Sequence, residues 1–252
     1  MITSKHALVT GGGTGVGRAI ALALAEAGIA VTICGRRQAP LDSVAGQNNR
    51  IHAIAADVTQ EAAIATLYAD AEAARGPFDI VVANAGMAES SPAHRTPLAD
   101  WQRTLDVNLT GSFLTVKPAL SGMAKRKSGR IVFVASTAGL KGYPYVAPYV
   151  AAKHGVVGLM RALATETVKS GVTVNAICPG FVESDMLEES VQRIVRTTGR
   201  TVAEARASLS ATNPQGRFIQ PQEVAATVLW LCSEAAGSIT GQAISLSGGE
   251  TW

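Results

Sequence analysis

The sequence predicts an α/β fold: a doubly wound sheet of seven mostly parallel strands with helices on both faces. Three observations lead there. Short β-rich runs alternate with longer helical patterns along the whole chain. The runs are nearly continuous in apolar residues, as strands covered on both faces are. The first run also breaks into a glycine-rich turn that opens directly into a helical pattern.

The strand runs fall at 6–10, 30–34, 51–56, 80–83, 131–135, 173–177 and 243–246, and the helical patterns at 17–27, 61–74, 98–124, 149–169 and 222–233. Strand–helix–strand units in this order connect with right-handed crossovers. The 252 residues are 47% hydrophobic and 16% charged, enough apolar material for a large core and too little charge for disorder. No repeat, linker or composition break divides them, so one domain spanning 1–252 is expected. Segment 184–217 stands apart. It is rich in charge but carries helical spacing at Met186, Leu187, Val191, Ile194 and Val195. It reads as a surface helical pair or as a substrate lid. The lid is preferred because the segment follows a strand's carboxyl edge, where open α/β sheets bind ligands.

Charge and cysteine usage exclude several classes. The formal net charge is only +3, and the densest basic cluster, Lys125-Arg126-Lys127, reads as a solvated helix end rather than a nucleic-acid surface. Cys34, Cys178 and Cys232 are scattered without metal-ligand spacing, so free thiols and no metal are expected. The first residues run straight into an apolar strand without a signal pattern, and no stretch is long enough to span a bilayer. A cytoplasmic chain with no membrane partner is expected.

The glycine turn reads Thr10-Gly11-Gly12-Gly13-Thr14-Gly15-Val16-Gly17. Glycines let backbone approach a ligand closely, and the helix N-terminus beyond them offers free N–H groups and partial positive charge to a pyrophosphate. Arg18-Ala19 stand where a nucleotide-hydrolase loop needs Lys and Ser/Thr, and no frame fits G-x-G-x-x-G. A turn with no ligand is the competing reading. The second strand ends in Cys34-Gly35-Arg36-Arg37, without the carboxylate that grips the adenosine ribose in NAD-binding folds. A guanidinium there matches a 2′-phosphate, so NADP(H) is the expected cofactor, with NAD(H) possible. Arg36 is the main contact and Arg37 its neighbour.

Tyr149 and Lys153 are four residues apart on one helical face. An ammonium beside a phenol favours the phenolate, which makes the pair a general acid/base. The fifth strand ends at Ala135-Ser136, bringing a hydroxyl to the same sheet edge as the glycine turn. Y-x-x-x-K alone is a common coincidence; the serine and the turn change its weight.

These pieces stand in the order found in the short-chain dehydrogenases/reductases: Thr10-Gly11 to Gly17, Asp57-Val58, Asn84-Ala85-Gly86, Asn108, Ser136, Tyr149 with Lys153, and Pro179-Gly180. The chain resembles that family over almost its whole length. The resemblance implies a Rossmann sheet and hydride transfer between a nicotinamide dinucleotide and a carbonyl or alcohol. It makes Tyr149 the catalytic acid/base and Ser136 the hydrogen-bond partner of the substrate oxygen. Lys153 holds the nicotinamide ribose, and Asn108 kinks a helix and anchors a water in the proton path. Asp57 and Val58 flank adenine, Asn84 lines the ribose, and the Val182 backbone meets the nicotinamide amide. Gly13, Thr14, Gly15, Val16, Gly86, Pro179, Gly180 and Ser184 complete the cofactor set. Two departures are Ala83, where the family has a second Asn, and Ser184, where it often has Thr.

Within the family, 147–158 resembles aromatic-polyketide ketoreductases and 3-oxoacyl-carrier-protein reductases, implying reduction of a β-ketoacyl thioester or a related cyclic or aryl ketone. The substrate is a small carbonyl or alcohol, carried as a CoA or carrier-protein thioester or free. Lys127 matches a carrier-docking position; Ser170 does not. An alcohol or 3-hydroxyacyl-CoA dehydrogenase is the second reading, and a dinucleotide sensor without chemistry the third. The helix carrying Tyr149 reads as apolar on several sides (Ala151, Gly155, Val156, Gly158, Leu159, Ala162), and with the family's habit this implies a homotetramer.

Overall fold

The computed structural model describes residues 5–252; the run-in at 1–4 lies outside the described residues. Seven strands, β1 (His6–Thr10), β2 (Ala30–Gly35), β3 (Ile51–Ala55), β4 (Ile80–Ala83), β5 (Gly129–Val134), β6 (Val172–Pro179) and β7 (Ala243–Leu246), form one sheet in the order β3-β2-β1-β4-β5-β6-β7. Every pairing is parallel, so the expectation of a mostly parallel sheet tightens to an all-parallel one. The strand order reverses between β1 and β4, which opens a crevice at their carboxyl ends.

Helices α1 (Gly15–Glu26), α2 (Gln38–Ala45) and α9 (Pro221–Leu231) cover one face, while α3 (Glu61–Arg75), α5 (Gly111–Arg126) and α6 (Ala147–Thr167) cover the other. The strand pleat sorts the core. Leu8, Ile131 and Phe133 pack with Leu67, Phe78, Val156 and Met160, whereas Val9, Val132 and Val134 pack with Ile20, Leu24, Leu41 and Val228. Each large side chain so buried contributes about 1.5–3 kcal/mol.

The expected helix over 98–124 is two helices. α4 (Leu98–Leu105) and α5 are separated by a π-helical turn, Asp106–Thr110, with Asn108 buried inside it. A π turn inserts one extra residue, and such turns recur at functional sites. α2 was not anticipated. The helix bearing Tyr149 is not apolar all round: Val156 faces the core, but Gly158 and Ala162 share the surface with His154, Arg161 and Thr165. α7 (Asp185–Thr198) and α8 (Val202–Ser210) occupy 184–217. They enclose a separate small cluster, Leu187, Val191 and Ala205 with Phe181, Leu209 and Phe218 around them. A parallel bridge, Val182 to Ile219, pins the two ends of this segment together. All three cysteines are free and buried. No described helix is long and apolar enough to cross a membrane.

Candidate active site

A cavity of about 560 Å³ opens at the carboxyl ends of β1, β4, β5 and β6. The sheet brings together there residues scattered through the sequence: Gly11, Thr14 to Gly17, Asn84, Gly86, Ser136, Tyr149, Lys153, Pro179, Gly180, Val182 and Ser184.

The glycine turn is packed so tightly on itself and its neighbours that side chains are excluded from it. A Cβ on Gly17 would sit 2.1 Å from the Gly11 carbonyl oxygen, a backbone atom that cannot move aside. Gly11 itself has φ +66°, open to glycine at no steric cost. Asn84 locks the turn: its Nδ2 donates to the Thr10 carbonyl (2.8 Å), and its N–H donates to Thr10 Oγ1 (3.0 Å). Thr14 caps α1 in extended backbone but makes no side-chain cap, and no acidic residue sits in the first turn. The first N–H groups of α1 are thus left for an anion.

Ser136 ends the β5 edge in extended backbone, and its Oγ accepts the Ala138 N–H (3.1 Å). That bond uses a lone pair and leaves the hydroxyl proton to be donated on the cavity side, where Tyr149 lies. α6 begins with Pro148 in its first turn, which sets Tyr149 at the cavity wall one helical turn before Lys153. The Lys153 ammonium lies 5.5 Å from the Tyr149 ring centroid and donates to the Val134 carbonyl (2.9 Å). Burial pulls Lys153 down to about 8. Burial also pushes Tyr149 up to about 12, and the Ser136 hydrogen bond offsets only part of that. The spacing argument expected the lysine to pull the phenol down; desolvation of the phenolate outweighs it.

Asn108 joins its π turn to the loop after β4. Its Nδ2 donates to the carbonyls of Met87 and Thr104 (both 2.9 Å), and its Oδ1 accepts the Met87 N–H (3.3 Å). A Cβ on Gly86 would lie 2.8 Å from Asn108 Oδ1 and 3.7 Å from Lys153 Nζ, so any side chain there would wedge the two apart.

A family model described as short chain dehydrogenase matches residues 5–194. The chain belongs to that family. It is 37% identical to a D-beta-hydroxybutyrate dehydrogenase of Cupriavidus necator, covering 99% of this chain and 98% of the relative. It is 38% identical to a putative ketoacyl reductase of Streptomyces coelicolor, covering 98% and 97%. Among solved structures, a variant of the actinorhodin polyketide ketoreductase crystallised with NADPH superposes with a TM-score of 0.95 at 36% identity, covering 98% and 97% of the two chains. The chain is therefore an NAD(P)-dependent oxidoreductase acting on a carbonyl or alcohol.

Arg36, Arg37, Asp57, Val58 and Ala83 of this short-chain dehydrogenase lie outside the cavity. Arg36 and Arg37 are exposed beyond β2, and neither takes part in an ion pair among the described residues. Asp57 Oδ1 accepts from the Thr59 N–H (2.9 Å) and hydroxyl (2.8 Å), shaping the turn after β3. Val58 is buried against Gly111. Ala83 is buried in the apolar core on the α3–α5–α6 side of the sheet. Ser184 caps α7, its Oγ accepting the Leu187 N–H (3.4 Å). His94 is exposed and Trp101 lies away from the cavity, whereas Tyr145 lines it in a left-handed conformation (φ +67°). Tyr143 and Arg193 also line the cavity. Neither carries a motif, and only the fold brings them there. Among the described residues no cluster could hold a metal.

Proposed function

We propose that this enzyme uses NADPH to reduce a ketone, a β-ketoacyl thioester or a related cyclic or aryl ketone, to a secondary alcohol. The observation that carries the cofactor choice is the end of β2: two exposed arginines and no carboxylate, which suits a 2′-phosphate and not a bare ribose. The cavity wall supports a neutral ketone, since most of its lining is apolar.

The cradle fits a dinucleotide, because Gly11 and Thr14 to Gly17 line the cavity and the α1 N–H groups carry no side-chain cap. Gly11, Gly13, Thr14, Gly15 and Val16 would hold the pyrophosphate. Arg36 and Arg37 would take the 2′-phosphate, Asp57 and Val58 the adenine, and Asn84 and Gly86 the ribose. Pro179, Gly180, Val182 and Ser184 would line the nicotinamide side. When bound, the cofactor supplies the hydride. Ser136 donates its hydroxyl proton to the substrate oxygen, and Tyr149, protonated at neutral pH, gives that oxygen its proton. Lys153 holds positive charge beside the phenol as negative charge develops on it. Asn108, whose carbonyl accepts the Ser112 hydroxyl (2.7 Å) and keeps a second lone pair, would anchor the water that returns the proton.

We further propose that 184–217 acts as a substrate lid on a single domain. Its own small apolar cluster lets it open without disturbing the sheet, and Arg193 Nη1 reaches Ser90 Oγ (3.2 Å) across the cavity mouth. The chain is proposed to assemble as a tetramer through the outer face of α6; light scattering at micromolar concentration should return four chain masses, and a monomer mass would end that idea.

The deciding experiment assays β-keto thioesters and cyclic and aryl ketones with NADPH and NADH in parallel. NADPH-supported reduction of at least one class is expected. Strong NADH preference would favour the second reading, alcohol oxidation, to which the D-beta-hydroxybutyrate dehydrogenase relative lends support. Arg36→Asp should raise the KM for NADPH by about tenfold or more, the scale of one charge-assisted contact, while leaving that for NADH level or lower. An unchanged NADPH to NADH ratio would remove Arg36 from the cofactor site.

A further inference from the structure

The C-terminal tail reaches the back of the cavity. Glu250, four residues beyond β7, is only 3% exposed at its side chain, although it does not itself line the cavity. Its Oε1 accepts a hydrogen bond from Tyr143 Oη (2.6 Å) and an ion pair from Lys141 Nζ (3.0 Å), and that ammonium also lies 4.9 Å from the Tyr143 ring centroid. Its Oε2 is buried, has no hydrogen-bond partner among the described residues, and faces Gly180, where a Cβ would come within 3.3 Å.

One carboxylate therefore touches two walls of the site. The first is the turn from Ser136 to Tyr143 that follows β5. The second is the end of β6 at Gly180. Burying a carboxylate with half its hydrogen-bonding capacity unmet is unfavourable and calls for a compensating role. The Tyr143 hydroxyl has one proton, and it is committed to Glu250. Thr137 Oγ1, 2.7 Å from Tyr143 Oη, is then the donor to the tyrosine. Tyr143 has no proton left for a substrate, yet it lines the cavity, and Thr137 adjoins Ser136 in the chain.

We propose that Glu250 is a positioning residue for the carbonyl reaction: through Tyr143 and Thr137 it fixes the turn that aims the Ser136 hydroxyl. This rests on the reading that Ser136 meets the substrate oxygen. A tyrosine held this way stays protonated, in accord with burial and Glu250 raising its pKa well above the ordinary range.

The test is a double-mutant cycle on Glu250→Ala and Tyr143→Phe, with Glu250→Gln as the conservative variant. It measures kcat and KM for the best ketone, the Kd for NADPH and the melting temperature. Glu250→Ala should lower kcat by about tenfold, the order expected for a slightly misplaced catalytic group, with the NADPH Kd within twofold of wild type. Tyr143→Phe should do the same, and the double variant should be no worse than the poorer single one, since both break one chain of contacts. Glu250→Gln keeps an acceptor oxygen for Tyr143 and should recover most of the loss. A kcat within twofold of wild type in Glu250→Ala, or losses that multiply in the double variant, would overturn the proposal. If Glu250→Ala has no folding transition, Tyr143→Phe and Glu250→Gln decide, and a kcat within twofold of wild type in Tyr143→Phe is then the refuting result. A wild type that reduces no ketone but oxidises alcohols refutes the reductive reading instead, and the same variants are then scored on oxidation.

Discussion

Tyr149→Phe is expected to cut turnover by about 10²–10⁴-fold while leaving NADPH binding within about twofold of wild type. The substitution keeps the ring, its place at the cavity wall and the packing of α6; only the hydroxyl goes. Burial holds that phenol up near 12, so at neutral pH it is fully protonated and carries the proton that the reduced carbonyl needs. With Phe in place, Ser136 still donates to the oxygen, but nothing in the site can complete the proton transfer. Cofactor fluorescence titration and single-turnover rates, measured on one preparation, separate the two effects. Loss of NADPH binding in parallel with turnover would show that the tyrosine holds the cofactor rather than the proton. Retained turnover would remove it from the chemistry altogether.

The strands and the three side chains proposed for catalysis are legible because their signals are local. A parallel strand covered on both faces announces itself as an apolar run, and Tyr149, Lys153 and Ser136 lie within 18 residues of one another. What escaped was either too short or too distributed. α2 has eight residues, Pro40 within it, and only Leu41 and Val44 buried, which is too few anchors for a helical period to register. The π turn at Asn108 leaves the apolar pattern over 98–124 almost intact, because one inserted residue shifts the phase without breaking it. Glu250 and Tyr143 meet across 107 positions, and nothing in either neighbourhood points to the other. The direction of the Tyr149 shift was misjudged for a related reason. Spacing shows that an ammonium is near, but only the packed structure shows that it lies 5.5 Å from the ring centroid and is bonded to the Val134 carbonyl.

Burial makes Lys153 a source of instability as well as of the proposed chemistry. Lys153→Met is expected to lose at least a hundredfold in turnover and yet to melt higher than wild type. Lys153 is 4% exposed, and burial lowers its pKa from 10.5 to about 8. At neutral pH the ammonium is therefore charged in both folded and unfolded chains, but held at a disadvantage of about 3 kcal/mol when folded. Removing the donor to the Val134 carbonyl returns about 1–2 kcal/mol of that, so a net gain of about 1–2 kcal/mol remains. The pH dependence fixes the cause. Below about 8 both states are protonated and the penalty is complete. Between about 8 and 10.5 the folded lysine is neutral while the unfolded one still binds its proton, so wild-type stability rises with pH through that window. The variant has no such proton, and its advantage should shrink steadily across the same interval in urea titrations. An advantage that does not change with pH would assign the gain to methionine packing instead. Wild-type reduction should meanwhile fall as pH rises through about 8, because the charge that costs stability is the one needed beside the phenolate.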